Sequence, residues 1–251
     1  YLGPIVYQIK KREEKNVNVK FIEYYDDSLS YSKTVLNQMN KPNLPIMINN
    51  ITQYEARNNL IINEIYNCLL DDRKILVLSD RRNHLNILKQ KLDEINSIIW
   101  YFLYLKKKDS RNKNVYDKIL FYYCRNRLFT AGFYLGGMKQ RDLEKTEKCN
   151  VILGTFSMAS EGFDCKYPLN TIFLASPKSN VEQSVGRILR QEKDKIKKIP
   201  LVIDINDNFS LFPKQANKRI KFYTQNGYNI TKYDKNIDII EKNTNKIKAY
   251  D

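Results

Sequence analysis

Three side chains past the middle of the chain are placed to do chemistry together. Gln183, Arg187 and Arg190 follow one another at spacings of four and three in NVEQSVGRILR. On a helix that spacing sets an amide and two guanidinium groups on one stripe, while Val181, Val185, Ile188 and Leu189 form a second, apolar stripe. The apolar stripe docks on a sheet and leaves the polar one outward. Two neighbouring guanidinium groups call for an anion, phosphate above all. A pair of surface salt bridges is the plain alternative.

The elements that position this helix are legible around it. Ser179 and Glu182 form an S-x-x-E capping signature at its start,. Four short apolar runs mark the core: KILVLS at 74–79, NVILGT at 150–155, TIFLAS at 171–176 and PLVIDI at 200–205. They are continuous, not alternating, and three of the four run directly into polar turns and helical patterns. Strands buried on both faces read this way, so the class is α/β, a mostly parallel sheet with helices on both faces. Val17–Tyr25 predicts a further strand, GFYLGG a short one ending in paired glycines, and YNITKY one more. Asn50–Leu70 predicts one helix, with Thr52 and Glu55 as a capping box. DRRNHLNILKQKLDEI predicts a helix capped by Ser79 or Asp80, Met138–Lys148 a charged helix, and Phe209–Asn226 a helix closed by Gly227. Asp204 and Asp207 close the fourth apolar run. The stretch 98–130 interrupts the pattern as an aromatic-rich helical insertion with a basic centre. Its Trp100, Tyr101, Phe102, Tyr122 and Tyr123 suit a small local core, with base stacking as the alternative.

Composition bounds the function. The 251 residues allow a proper core, and the net charge of +15 suggests an acidic partner, nucleic acid being the commonest,. A lysine-rich solvated surface would give the same charge. Cys68, Cys124, Cys149 and Cys165 are scattered and His84 has no neighbouring cysteine. No zinc site or disulfide framework is expected, and no metal on this chain. A reducing, intracellular compartment fits, without membrane association. The chain begins with Tyr1, which suggests a fragment, monomeric as such.

SEGFD, followed by a strand and then QSVGRILR, resembles motifs V and VI of superfamily 2 helicases. The match is closest to the XPB and phage branch-migration group and to related helicases of large cytoplasmic DNA viruses, including the poxvirus transcript-release type. LVLSDRRNHL resembles motif IV of that group and YLGGM the motif after it. LVIDINDNFSLFPKQANKRIKFYTQNGY resembles the closing segment of their second RecA-like domain. The resemblance runs from about Lys74 to Ile230 and implies a C-terminal RecA-like domain over 17–233. A connector at 1–16 and a polar tail at 234–251 flank it.

Carried over residue by residue, the resemblance implies that Arg187 and Arg190 act as arginine fingers toward ATP, with Gln183 supporting them. Gly162 and Asp164 would sit in the ATP cleft, with Glu161 as a further member, and Gly186 would permit close packing. Ser79, Arg81, Gly136, Gly137 and Thr155 would hold the phosphate backbone of DNA or RNA from strand ends. Each of these five also suits a plain turn or cap. No G-x-x-x-x-G-K-[ST] occurs, and Asp93-Glu94 lies within a charged helical pattern instead of at a strand end,. ATP and Mg²⁺ would therefore be bound mainly by a separate N-terminal RecA-like domain of the full-length protein, leaving this chain inactive alone. The resemblance implies a cytoplasmic setting, a viral factory or virion for a large cytoplasmic DNA virus. A non-enzymatic nucleic-acid module with a helicase fold is the alternative. A Rossmann-like transferase or dehydrogenase would want a GxGxxG turn, which is absent.

Overall fold

The computed structural model describes residues 16–108, 112, 114–118, 128–161, 163, 165–167, 169–186 and 198–243. Eight strands form one sheet: β1 (Asn18–Tyr24), β2 (Ile75–Leu78), β3 (Ala131–Tyr134), β4 (Val151–Gly154), β5 (Thr171–Leu174), β6 (Leu201–Asp207), β7 (Asn229–Tyr233) and β8 (Ile239–Asn243). Their order is β3-β4-β2-β5-β6-β1-β7-β8, and every neighbouring pair is parallel except β7 with β8. The four apolar runs are β2, β4, β5 and β6. The first three are buried at every position, which explains why they do not alternate,.

Alternate residues of each strand feed two cores. Ile75, Val77, Val151, Leu153, Phe173, Ile203 and Ile205 meet α2 (Leu44–Gln53), α3 (Glu55–Leu70) and α4 (Arg82–Lys108) on one face. Leu76, Leu78, Ile152, Ile172, Leu174 and Val202 meet α6 (Gln140–Thr146), α7 (Phe156–Glu161), α8 (Glu182–Gly186) and α9 (Phe212–Gln225) on the other. Two short helices complete the described set, α1 (Leu29–Ser32) and α5 (114–118). No described helix is long and apolar enough to cross a membrane. The helix α9 ends as expected. Gly227 has φ +69°, its N–H donates to Thr224 O at 3.1 Å, and Tyr228 N donates to Tyr223 O at 3.0 Å, a Schellman closure,.

Several expectations meet a different local solution. The single helix over 50–70 is two, broken at Tyr54, whose φ of −70° and ψ of 116° are extended. Thr52 does not cap the second helix, and its hydroxyl donates to Asn49 O instead. The Thr52 carbonyl freed by the break is taken by Asn58 Nδ2 at 3.0 Å,. At α8 the capping oxygen belongs to Asn180, not Ser179: Asn180 Oδ1 accepts from Glu182 N at 3.1 Å. The helix α4 continues through Ile98 to Lys108 for 27 residues, so the start of the expected insertion is the end of that helix. Its aromatics divide: Phe102 packs on the core, while Trp100 and Tyr101 are exposed. Tyr122 and Tyr123 lie outside the described residues. The expected tail holds a turn and then β8 (Ile239–Asn243), which runs antiparallel to β7.

The strand β6 carries two carboxylates on opposite faces, and each holds a buried arginine. On the α3 face, Arg57 donates from Nε to Asp207 Oδ1 at 2.7 Å and from Nη2 to Oδ2 at 3.0 Å, and Tyr31 Oη donates to Oδ1 at 2.8 Å. On the α9 face, Arg219 donates from Nε to Asp204 Oδ2 and from Nη2 to Oδ1, both at 2.8 Å. Tyr223 Oη donates to Asp204 Oδ2 at 2.8 Å. The third arginine nitrogen in each case reaches the loop after β5. Arg57 Nη1 donates to Ala175 O at 2.8 Å, and Arg219 Nη1 to Lys178 O at 2.7 Å. Replacing Asp207 with Ala strands a buried guanidinium and is expected to cost about 3–5 kcal/mol of stability. The double replacement Arg57→Leu with Asp207→Leu loses less, because neither charge is then buried alone. Urea unfolding of the three proteins measures both figures.

Candidate functional site

Parallel strands put all their carboxyl ends on one edge, where such folds bind ligands. The turns along that edge here are Ser79–Arg81 after β2, Leu135–Gly137 after β3, Thr155 after β4 and Ala175–Lys178 after β5. They are bonded to one another. Asp80 N donates to Ser176 Oγ at 2.9 Å, and Lys178 Nζ reaches Asp80 Oδ2 at 3.0 Å. Arg82 Nη2 donates to Gly136 O at 3.0 Å, which links the turn after β2 to the turn after β3.

The five residues expected to face a phosphate backbone gather on this edge, but in different conditions. Arg81 is half-buried; its Nε donates to Asn49 Oδ1, and its Nη2 lies 3.3 Å from Pro45 O, so the guanidinium rests against the start of α2. Gly137 is exposed at φ +88°, a conformation that glycine alone adopts freely,. Thr155 is partly exposed, and its hydroxyl accepts from Met158 N at 3.4 Å as the cap of α7. Ser79 is drawn inside. Its side chain is buried, and it serves the edge by fixing the turn: its Oγ accepts from Arg81 N at 3.2 Å.

Behind Ser79 runs a buried polar chain that settles its own protons. Asn58 Nδ2 donates to Thr52 O, so Asn58 Oδ1 is an acceptor and His84 Nε2, 3.0 Å away, carries the hydrogen. His84 Nδ1 is then the acceptor for Ser79 Oγ at 3.0 Å. Every member is satisfied only with a neutral imidazole. Burial, helped by the positive charge of Arg57, pushes the His84 pKa down to about 3,.

Of the residues expected at the phosphate site, Gln183 is exposed on α8 while Val181, Ser184 and Val185 are buried beneath it. The two-stripe reading therefore holds for the described turn. Arg187, Arg190, Gly162 and Asp164 lie outside the described residues, and Glu161 is the last residue of α7. Phe163, between Gly162 and Asp164 in sequence, is buried edge-on against Tyr134 with ring centroids 4.8 Å apart. At Gly186, the last described residue of α8, no described atom comes within 4 Å of the Cβ position.

Sequence reasoning missed Arg57, Arg219, Lys178, Arg82 and the roles of Asp80 and His84. A signal existed for the first two. Arg57 falls on the buried stripe of α3 with Ile61, Ile65 and Cys68, and Arg219 on that of α9 with Phe212, Ala216 and Tyr223. A charge at the core position of an amphipathic helix needs a buried partner, and Asp204 and Asp207 in an apolar strand are the evident ones.

No protein-family model matches the chain. A protein of Acanthamoeba polyphaga mimivirus named "Putative ATP-dependent RNA helicase" is 32% identical over 236 residues, which is 93% of this chain and 39% of that protein. A protein of African swine fever virus with the same name is 36% identical over 98 residues, 39% of this chain and 19% of that protein. The chain thus spans well under half of the curated relatives it matches. Among solved structures, that of T4 UvsW superposes with a TM-score of 0.54 at 18% identity, covering 88% of this chain and 42% of that one. That likeness is one of fold.

Because His84 binds its proton far more weakly folded than unfolded, the unfolded chain holds more protons between the two pKa values. The stability contributed by neutral His84 is complete above the ordinary histidine value near 6.5 and is lost as pH falls toward about 3,. A stability loss approaching about 1.4 kcal/mol per pH unit below pH 6 is expected from this group. Urea titrations at pH 7, 6 and 5 measure it, and His84→Gln flattens the dependence by that amount.

Proposed function

With a RecA-like fold and relatives named as ATP-dependent RNA helicases in two large DNA viruses, the chain resembles the C-terminal RecA-like domain of superfamily 2 helicases, and on that premise we propose that it is the second motor domain of an ATP-dependent nucleic-acid helicase or translocase. In the full-length protein it forms one wall of an ATP cleft whose other wall, with the P-loop and Mg²⁺, belongs to an N-terminal RecA-like domain. ATP, when bound there, supplies a γ-phosphoryl group on which negative charge spreads during transfer. Arg187 and Arg190 lie against that charge, Gln183 holds them by hydrogen bonding, and Glu161, Gly162 and Asp164 line the cleft beside them. The same carboxyl edge holds DNA or RNA by its phosphates through Arg81, Gly136, Gly137 and Thr155, with Ser79 fixing the turn that presents Arg81.

One observation carries this reading. The loop leading into QSVGRILR is gripped from both faces of the sheet, by Arg57 at Ala175 and by Arg219 at Lys178. Arginines that stabilise a transition state must be held before the reaction begins, since reorganising them during it would cost what they contribute. A surface helix with idle salt bridges needs no such anchorage. The donor set of the edge also fits a phosphate: guanidinium, amide, hydroxyl and backbone N–H groups, all donors to anionic oxygen.

The 251-residue chain alone is expected to bind single-stranded nucleic acid weakly and to turn over ATP negligibly; robust ATP hydrolysis by it would defeat the proposal. In the full-length protein, Arg190→Ala is expected to lower nucleic-acid-stimulated ATPase by about 10³-fold. Near-normal turnover in that variant would remove Arg190 from the cleft.

A further inference from the structure

The helix α4 is longer than the sheet it covers. At roughly 1.5 Å per residue its 27 residues span about 40 Å,. Its core-facing side carries Leu85, Leu88, Leu92 and Ile99 as buried apolar residues, and Phe102 and Leu103 pack on the core's margin. The outward stripe carries charge in mid-helix, where Lys89 pairs with Asp93 and Glu94 follows, then changes character. Trp100, Tyr101 and Tyr104 follow, with Lys107 and Lys108 one turn beyond.

Among the described residues these rings stand largely exposed. Trp100 is 59% exposed, Tyr101 54% and Tyr104 45%. Trp100 and Tyr104, four residues apart, lie nearly parallel, 10° between planes and 5.7 Å between centroids. Lys108 Nζ stands 5.7 Å from the Tyr104 centroid, and Lys106 pairs with Asp117 of α5. Folding gains little from an indole and two phenols held in water. Flat π-faces beside ammonium groups are the two parts of a sequence-tolerant single-strand contact: bases stack, phosphates meet the cations.

We propose that Trp100 and Tyr104, with Lys107 and Lys108, form a second contact for single-stranded nucleic acid, in which a base extends the ring stack and the lysines take the flanking phosphates. The choice of nucleic acid over a protein rests on the reading given under "Proposed function" and on the net charge of +15. The site is separate from the carboxyl edge. Trp100 lies eighteen residues beyond Arg82, about 27 Å along a helix whose start is bonded to Gly136 at that edge,. With Glu94 before the rings and Lys107 and Lys108 after them, the strand leaves toward the lysine end.

Trp100 is the one tryptophan of the chain, so its fluorescence reports this site alone. Oligo-uridylate and oligo-deoxythymidylate are titrated into the 251-residue chain, with tryptophan emission and the anisotropy of labelled oligomer read together. Quenching at saturation is expected. Trp100→Ala should weaken binding by about tenfold, within the range a stacked base contributes, and Trp100→Phe should recover most of it. Arg81→Ala should weaken binding while the quench at saturation persists. Unchanged emission at saturating oligomer, or unchanged affinity in Trp100→Ala, overturns the second contact; a loss in Arg81→Ala then leaves the edge reading standing, and the rings are a protein surface. Equal quenching by heparin, which has no bases, also overturns it. Absence of binding by either oligomer overturns both readings.

Discussion

Two buried arginines gripping one loop from opposite faces of a sheet are the constraint on which this domain turns. Strand periodicity makes it possible. Asp204 shares a face with Val202, and Asp207 shares the other with Ile203 and Ile205, so one strand presents a carboxylate to each core,. Each arginine satisfies its carboxylate with two nitrogens and has one left, and both remaining nitrogens find carbonyls of the β5–α8 loop. Arg57 is fully buried and Arg219 nearly so. Apolar side chains of similar size would stabilise the two cores as well or better, because desolvating a pair of charges costs about what their attraction returns. What they would not supply is direction. A guanidinium fixed by a bidentate carboxylate aims its remaining N–H along one line, and the loop cannot shift without leaving that donor unpaired.

The consequence spreads along the carboxyl edge. The gripped loop carries Ser176, which holds Asp80, and Lys178, which pairs with it. Asp80 stands between Ser79 and Arg81, and Ser79 leads through His84 and Asn58 back to the break between α2 and α3. The Arg81 guanidinium rests on α2, at Pro45 and Asn49. The turn that carries Arg81 and the loop that launches α8 are therefore parts of one bonded assembly. A region so braced is suited to moving as a unit.

The strands were readable from sequence because burial on both faces removes alternation and leaves short unbroken apolar runs. Gly227 was readable because a helix that must turn left at its end has few other residues to use. The bracing was not. Arg57 and Asp207 are 150 residues apart, and no window that finds helices or strands contains both. The break at Tyr54 was hidden for a related reason. Its compensation is an amide from Asn58, and nothing local in ITQYEAR demands it. The strand β8 was hidden by its position. It has one neighbour among the described strands, and a strand at the end of a sheet is free to be as polar as a tail,. At α8, Ser179 and Asn180 are both competent caps, and only the path of the loop decides between them.

The excess charge gains meaning from the same geometry. Charge alone was compatible with a polyanion partner and with a lysine-rich solvated surface. The buried clamps consume two arginines and two aspartates, equal numbers of each sign, and so remove nothing from the net +15. All of that excess is borne outside them. A solvated surface would spread it without regard to donors of other kinds. Here cations recur beside groups that solvation does not call for. Arg81 stands at an edge that also offers Gly137 at positive φ and a threonine cap, and Lys107 and Lys108 follow a stacked indole and phenol. That recurrence, at both ends of α4, weighs toward the polyanion where the count of charges could not.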